Sequence, residues 1–392
     1  MQRRIDGGFA WVSVASAFVA HVVGFGMIYS FTVFFPPILQ EFEQGRGSTA
    51  WTVSIAAALM LGAGSVAGRA ADRFGPGKLL ATGAVLISTG LFASSVAGAL
   101  WQVQLAYGLI LGTGVACAYV PSVATVSGWF ERRRGLALGL AVSGSGVGAI
   151  IFAPLSQALI SDMGWRSAMR VLAAVSLVTV MAAAAFLKPR LAIAGKATEG
   201  LRLRGNRAFM LLFASGCIAS YGYWVPFVHI VPFAEDRGLS SAAAAGLVPL
   251  MGLANTSGRI VMGAMADRLG RHRMMRFSIA ALAVALVAWI GADSFLELAM
   301  FGIVYGVFAG SFIALLPALA GDYFGMERLA GVTGALFSGA AVGTLFGAPV
   351  SGALFDATGS YTVAIVLAAV SMAIGAAILF ALPPPPARIP AR

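Results

Sequence analysis

Charged residues are scarce in this chain of 392 residues. Asp, Glu, Lys and Arg together make up 10% of it, whereas soluble domains carry about 25%. Apolar residues account for 59%, and so little charge does not keep a globule of this size dissolved in water. The composition therefore excludes the ordinary soluble classes, and we expect the chain to lie in a lipid bilayer.

Other features are missing as well. The chain has two cysteines, Cys117 and Cys217, both inside apolar runs, so neither a disulfide framework nor a metal site is predicted. No G-x-x-x-x-G-K-[ST] sequence occurs, so no nucleotide-binding loop is predicted. The first apolar run is too long for a cleavable signal peptide and leads into further runs. We expect no enzymatic activity, no cofactor and no metal.

Twelve apolar runs follow one another, each about as long as a helix that crosses a bilayer core of roughly 30 Å. They lie near residues 9–36, 50–70, 79–98, 101–127, 135–160, 166–187, 207–234, 243–266, 275–293, 296–320, 330–355 and 361–382. We number them spans 1 to 12 and predict an all-α membrane protein of twelve transmembrane helices in two pseudo-symmetric six-helix bundles. The predicted segments are a first bundle at 1–187, a cytoplasmic linker at 188–206, a second bundle at 207–383 and a disordered tail at 384–392.

Basic residues outnumber acidic ones by 26 to 15, which in a soluble protein favours an anionic partner such as nucleic acid. Here the cations cluster in the short loops between spans. One side of the predicted bilayer receives 21 of them and the other side 4, and Arg259 lies inside a span. This asymmetry predicts an inner-membrane protein with both termini in the cytoplasm and no nucleic-acid partner.

A loop sequence occurs twice, at an offset of 195 residues. The stretch from Gly68 to Gly75 recurs from Gly263 to Gly270, and each copy is followed by a further cation. The recurring residues are Gly68, Asp72 and Arg73 in the first copy, and Gly263, Asp267 and Arg268 in the second. An offset of almost half the chain predicts two equivalent halves, as in transporters built from repeats.

Glycines of spans 5 and 11 repeat at the same offset. Gly139, Gly144 and Gly148 correspond to Gly334, Gly339 and Gly343. Small residues at such spacing let helices approach closely in lipid. We therefore expect spans 5 and 11 to pack tightly at the interface between the halves.

The repeated loop resembles the loop motif of the major facilitator superfamily. That resemblance implies that Asp72 and Asp267 act as a latch at the cytoplasmic side; the alternative is a basic loop that only sets the topology.

Within the superfamily the chain resembles bacterial homologues of the monocarboxylate transporters, through Asp6-Gly7-Gly8-Phe9-Ala10-Trp11 and Trp129-Phe130-Glu131-Arg132-Arg133-Arg134-Gly135-Leu136-Ala137-Leu138-Gly139-Leu140-Ala141. Gly164-Trp165-Arg166 and the segment from Phe355 to Tyr361 also resemble that family.

Arg259 is the one charged side chain well inside a predicted span. A charge at this depth is costly, by about 2.5–3.5 kcal/mol on insertion scales. A guanidinium that faces a water-filled cavity can bind a carboxylate through two parallel hydrogen bonds, and the resemblance places the anion-binding Arg here. The alternative is an Arg that snorkels to the cytoplasmic surface.

Two residues depart from the animal members of the family. Asn255 stands where they carry an Asp, and Tyr29 where they carry a Lys. Both side chains can hydrogen-bond a substrate but do not readily carry a proton near neutral pH. Candidate proton carriers are therefore His21 and His229, with a neutral histidine bonded to a backbone carbonyl as the alternative for each. The substrate itself is a third candidate.

Tyrosines complete the predicted site. Spans 1, 4, 7 and 10 line the cavity in folds of this type, and they carry Tyr29, Tyr119, Tyr221, Tyr223 and Tyr305. Tyr119 and Tyr305 lie mid-span beside glycines, so we expect their hydroxyls to face a partner or the cavity.

The function that the resemblance implies is proton-coupled symport of a small monocarboxylate, such as lactate or pyruvate, by alternating access. The partners are then a small organic anion, a proton and the bilayer, and we expect a functional monomer. Alternatives are exchange of oxalate, formate or other organic anions, and a membrane receptor that senses a carboxylate. Drug export is a further alternative, but no intramembrane acid is present to attract cations.

Overall fold

The computed structural model describes residues 7–130, 133–188, 205–325 and 329–385, and its regular structure within these ranges is helical throughout. In chain order the helices are α1 (Gly8–Phe42), α2 (Arg46–Gly62), α3 (Gly64–Phe74), α4 (Pro76–Ser95), α5 (Leu100–Val103), α6 (Gly112–Trp129), α7 (Arg134–Phe186), α8 (Arg207–Tyr223), α9 (Val225–Asp236), α10 (Ser241–Leu269), α11 (Arg271–Trp289), α12 (Phe295–Phe324), α13 (Leu329–Thr358) and α14 (Thr362–Ala381). A π-helical segment, Gln104–Leu111, joins α5 to α6.

These helices form the twelve predicted spans. Over the described residues, nine helical stretches are long and apolar enough to cross a bilayer, and α2 and α3 make a tenth as a pair bent by 61°. One of the nine, α7, holds two spans because Gly164 interrupts it with a φ of 77°. The twelfth span is α10, which is not among those stretches and has polar residues from Asn255 to Arg259 at its centre.

The helices form two bundles. Helices α1–α7 pack on one another, as do α8–α14, and the halves meet chiefly where α2 contacts α13 and where α7 contacts α10. The 195-residue offset relates these two pairs, because α2 corresponds to α10 and α7 to α13. The segment boundaries 1–187, 188–206, 207–383 and 384–392 stay predictions. Most of the linker, most of the tail and the signature residues Asp6, Glu131 and Arg132 lie outside the described residues.

The two ends of the bundles are distinguished by their loops. We call the end with the repeated loops, at Gly75 and Gly270, the motif side. Both glycines have a positive φ, 91° and 94°, which a residue with a side chain adopts only with strain. The other end, where α1 turns into α2 and α9 into α10, is the opposite side.

The halves touch on the opposite side and are parted on the motif side. A Cβ on Gly47 would lie 2.7 Å from the backbone nitrogen of Ala353, and one on Gly146 would overlap Thr256. Beyond these contacts the equivalent glycines on α3, α7, α10 and α13 have open space, with no atom of the described residues within 4 Å of an added Cβ. They are Gly68, Gly139, Gly263 and Gly334. A cleft therefore opens on the motif side and ends near Thr256.

The expectation about spans 5 and 11 was wrong in detail. Gly144 and Gly148 lie directly against α1, and Gly339 and Gly343 against α8. Their close approach therefore builds each half from within. On α7 the contact with the other half comes from Gly146 and Ala149, which lie on a different face of the helix.

Candidate functional site

The centre of α10 carries Arg259 and, one turn before it, Asn255. This segment is fixed against α12, because Gly258 lies directly on the carbonyl of Val307 and Gly306 lies close to the α10 backbone. Small residues permit such approach between membrane helices. The two polar side chains are thus held at the level where the cleft ends.

Several polar groups at this level lack partners. Within the described parts of the chain, Arg259 Nε, Asn255 Nδ2, Thr256 Oγ1 and the Tyr223 hydroxyl are buried atoms without a hydrogen bond. Asn255 lies close to the Tyr223 hydroxyl, but not in the geometry of a hydrogen bond, and both residues are almost fully buried, at 2% and 1% exposure. An unsatisfied buried donor costs about 1–3 kcal/mol, so a group of them needs an explanation. Thr256 lies against Gly146 of α7, whereas Arg259, Asn255 and Tyr223 offer donors to an anion.

Aromatic side chains lie near Arg259. The ring of Tyr29 stacks on Trp224 with centroids 6.0 Å apart and packs against Phe227 at 5.2 Å. The Arg259 charge is within electrostatic range of the hydroxyls of Tyr29, Tyr119 and Tyr223. Four of the predicted substrate residues, on α1, α6 and α10, therefore come together.

The fifth predicted residue, Tyr305, has a different environment. Pro226 lacks an N–H and leaves the carbonyl of Gly222 without its helical donor, which separates α8 from α9. The Tyr305 hydroxyl fills this place, donating to the carbonyls of Tyr223 at 2.8 Å and Gly222 at 3.3 Å. Tyr305 is fully buried, and its hydroxyl stabilises the break beside Tyr223.

A small cavity lies between the halves, toward the opposite side from Arg259. It has a volume of about 10 Å³ and is lined by Tyr29, Phe227, Met251 and other apolar residues. That is room for about one water molecule. The site therefore consists of polar side chains on α10, with little free space between them and the opposite side.

The two predicted proton carriers are both buried, at 1% and 0% exposure. In His21, Nδ1 lies 2.8 Å from the Ala141 carbonyl and Nε2 lies 2.9 Å from Ser122 Oγ. His21 is also within electrostatic range of Arg259. It therefore borders the site, with both ring nitrogens hydrogen-bonded.

His229 belongs to a different group of residues on the opposite side. Its Nε2 lies 2.9 Å from the Ala348 carbonyl, and its Nδ1 lies 3.0 Å from the Tyr361 hydroxyl. That hydroxyl also accepts a hydrogen bond of 2.9 Å from Arg46 Nη1. His229 thus supports a contact between the halves on the opposite side.

We call this contact the Arg46 cluster: Arg46, Asp236, Asp356 and Tyr361. The Arg46 guanidinium donates two hydrogen bonds of 2.7 Å to Asp236. The backbone N–H groups of Arg46 and Gly47, at the start of α2, donate to Asp356 at 2.8 and 2.9 Å. An anion is favourable at a helix N-terminus, and here the other half supplies it. The cluster joins the halves on the opposite side.

The repeated loops differ in their contacts. Asp267 pairs with Arg271 at 3.3 Å, and Arg271 also pairs with Asp322 at 2.9 Å, all within the second half. Asp72 and Arg73 are exposed, and over the described residues Asp72 has no ion pair. Neither carboxylate bridges the halves in this conformation, in which the motif side is open.

Sequence reasoning did not single out Phe227, Thr256 or Arg46 as functional. Arg46 is one of the four cations on the side with few positive charges, and it contacts Phe355, Asp356 and Tyr361 of the family-like segment. As for metals, no group of three or more His, Cys, Asp or Glu side chains in the described ranges is arranged to hold an ion.

Comparison with known proteins gives matches over nearly the whole chain. The profile of the Major Facilitator Superfamily matches residues 17–290 and 212–392. Human monocarboxylate transporter 11 is 32% identical over 394 residues, covering 96% of this chain and 84% of that protein. Rat monocarboxylate transporter 13 is 30% identical over 385 residues, covering 96% and 90%.

A solved structure has the same fold. It is a bacterial homologue of the human lysosomal transporter Spinster, in an inward-facing and unoccupied conformation. It superposes with a TM-score of 0.79 over 96% of this chain and 97% of that one. The sequence identity is 13%, so this likeness concerns the fold alone.

Proposed function

Because the chain belongs to the major facilitator superfamily and, within it, to the family of the monocarboxylate transporters, we propose that it is a secondary active transporter which carries a small monocarboxylate together with a proton. The substrates we propose are acids of the lactate and pyruvate type. The transporter would be a multi-pass membrane protein that works by alternating access.

The observation that carries this proposal is the group of unpartnered donors at the closed end of the cleft. A carboxylate bound to Arg259 would accept from its guanidinium in the bidentate geometry that Arg favours. Its second oxygen would be within reach of donors such as Asn255 Nδ2 and the Tyr223 hydroxyl. Each of these groups then gains the partner that it lacks.

The surroundings favour a small acid. Tyr29 and Phe227 close the space beyond the guanidinium to about 10 Å³, so only a short apolar group fits there without rearrangement. Tyr29 and Tyr119 would contact the bound acid through their rings or hydroxyls. Tyr305 would act indirectly, by fixing Tyr223.

During transport the opposite side, which is closed in this conformation, would open, and the motif side would close. The Arg46 cluster would release as the motif side closes over the bound acid, and Asp72 and Asp267 would then bind partners across the halves. We place the motif side and both termini in the cytoplasm of a cell whose inner membrane holds the protein. The excess of cations on that side, 21 against 4, supports this orientation. We propose that a monomer suffices.

A ligand series in detergent tests the proposal. We expect lactate and pyruvate to raise the thermal unfolding midpoint, because a ligand at 100 times its Kd stabilises by about 2.7 kcal/mol. Lactamide, which lacks the carboxylate, should not raise it. A larger response to oxalate than to lactate would favour the anion exchanger, and an equal response to lactamide would contradict a carboxylate receptor.

A further inference from the structure

His21 is placed so that both of its protonation states are fully hydrogen-bonded. Nδ1 faces the Ala141 carbonyl on α7 at 2.8 Å, so it must carry a hydrogen. Nε2 faces Ser122 Oγ on α6 at 2.9 Å. The same Oγ lies 2.8 Å from the carbonyl of Tyr119, which gives the serine hydroxyl a second acceptor.

The serine allows the switch because it has one hydrogen and two acceptors to choose from. When His21 is neutral, the Ser122 hydroxyl donates to Nε2. When a proton from solution binds Nε2, that nitrogen donates to Ser122 Oγ, and the hydroxyl hydrogen turns to the Tyr119 carbonyl. No heavy atom has to move, and no buried donor is left unsatisfied in either state.

His229 lacks this property. Its Nδ1 faces the Tyr361 hydroxyl, which already accepts from Arg46. If His229 were protonated, Nδ1 would become a donor as well, and the phenol would receive two donors while its own hydrogen lost its acceptor. The geometry therefore suits a neutral His229 that accepts from Tyr361.

The charge of Arg259 connects His21 to the substrate site. The titratable or charged groups that face His21 in the described residues are Tyr119 on α6 and Arg259 on α10; α7 contributes the Ala141 carbonyl. A proton on His21 and an unpaired charge on Arg259 repel each other. A carboxylate that neutralises Arg259 removes this repulsion, so each ligand favours the binding of the other, and the effect is reciprocal.

We propose that His21 is the proton-binding residue of this transporter, that Ser122 is the hydroxyl switch which accommodates the proton, and that coupling to the carboxylate runs through the charge of Arg259. This inference rests on the proposed function, since it requires a carboxylate on Arg259. It assigns the coupling to a residue on α1 that touches α6 and α7, all within the first half.

The test is to count the protons taken up when lactate binds. Calorimetric titrations of the purified protein near neutral pH, in buffers of different ionisation enthalpy, give this number. We expect wild type to take up about one proton per lactate, because a carboxylate that neutralises Arg259 removes the repulsion that keeps the proton off His21, and His21→Gln to take up none. His272→Gln, which alters a histidine on the motif side, is the matched control and should behave as wild type.

The affinity profile gives a second readout. Wild-type affinity for lactate should rise by up to about tenfold for each unit of falling pH, and His21→Gln should have a flat profile. Ser122→Ala should shift the profile to lower pH, while Ser122→Thr, which keeps the hydroxyl, should restore it. If His21→Gln does not fold, this serine pair decides the matter on its own.

The outcomes separate the two proposals. Full proton uptake or a sloped profile in His21→Gln, or identical profiles for Ser122→Ala and Ser122→Thr, would overturn the assignment of His21 and leave the carboxylate site intact. If wild type itself fails to bind lactate or any other small acid, the proposed function fails, and the inference fails with it.

Discussion

At the scale of single residues, the sequence was most informative where a residue conflicts with its surroundings. Arg259 stands out because a lone charge in an apolar run is costly unless it has a task, and the structure leaves its Nε without a partner among the described residues. Phe227 gave no such signal, since an aromatic residue in a membrane helix is ordinary. Its importance comes only from facing Tyr29 across the cavity.

Phe227 should set the size limit of the substrate. Replacing it by Ala removes a ring that lines the cavity, so we expect Phe227→Ala to bind longer monocarboxylates, such as 2-oxohexanoate, that wild type rejects. Filling the new space should improve their affinity by ~0.8 kcal/mol for each buried methylene. Thermal shifts with acids of increasing chain length measure this.

The matched control is Phe301→Ala, which removes a ring stacked on Trp289 away from the cavity. It should lower stability without changing which acids bind. A size limit that is the same in Phe227→Ala and in wild type would rule out this role for Phe227.

At the scale of helices, hydropathy predicted the spans but not the way they are broken and joined. Each proline removes a backbone N–H donor from its helix, and the sequence shows where this happens. The sequence does not show which groups donate to the freed carbonyls instead. Pro226 frees the Gly222 carbonyl, to which Tyr305 donates at 3.3 Å. Pro232 frees the Val228 carbonyl, to which Thr32 of the other half donates at 2.9 Å. Such partners lie far apart in sequence, so no local pattern reveals them.

Tyr305 should therefore matter for stability more than for affinity. Tyr305→Phe leaves the Tyr223 carbonyl without its donor, and we expect a loss of about 1 kcal/mol of stability with lactate affinity nearly unchanged. Tyr119→Phe should lower lactate affinity and leave stability nearly unchanged, because the Tyr119 hydroxyl has no hydrogen bond within the described residues. Thermal unfolding with and without lactate separates the two effects. A large loss of lactate affinity in Tyr305→Phe would instead make Tyr305 a direct ligand.

Gly139 and Gly263 should be needed for the motif side to close. They lie seven residues, about two turns, from Gly146 and Thr256, which already touch, so they share the same helix faces. Gly263→Leu should bind lactate normally in the present conformation. It should transport lactate about tenfold more slowly, because overpacking a closed interface costs roughly 1–3 kcal/mol.

Gly246→Leu is the control for this effect. It lies on the same helix, near the opposite side, where the nearest atom to an added Cβ is 4.0 Å away. Binding by calorimetry and uptake into vesicles are compared for both variants. Equal uptake by Gly263→Leu and Gly246→Leu would show that these glycine faces do not meet during transport.

At the scale of the whole molecule, the repeat predicted two equivalent halves but not which helices meet between them. It did not predict the conformation. Arg46 lies 190 residues from Asp236 and 310 from Asp356, and the family-like sequence around Asp356 gave no hint of the helix N-terminus to which it binds. Which end is closed depends on contacts of this kind.

Arg46→Gln should loosen the opposite side. Its charged hydrogen bonds cross the halves, and a loss of about 2 kcal/mol changes the ratio of the two conformations by about 30-fold. Spin labels at Gln44→Cys and Ala242→Cys, in a chain with Cys117→Ser and Cys217→Ser, should then report longer distances. Arg237→Gln, which breaks an ion pair within the second half, should leave them unchanged. Unaltered distances in Arg46→Gln would mean that the Arg46 cluster does not hold this side closed.

The central claim is that Arg259 receives the carboxylate, and uptake tests it most directly. Labelled lactate is supplied to proteoliposomes under an imposed pH gradient, with wild type, Arg259→Gln and Arg207→Gln compared at equal protein content. Arg207 is an exposed cation at the start of α8 and serves as the control. We predict that Arg259→Gln lowers uptake by at least about tenfold, as expected for the loss of a charged hydrogen bond, while Arg207→Gln transports like wild type. Uptake by Arg259→Gln equal to that of wild type would contradict the account.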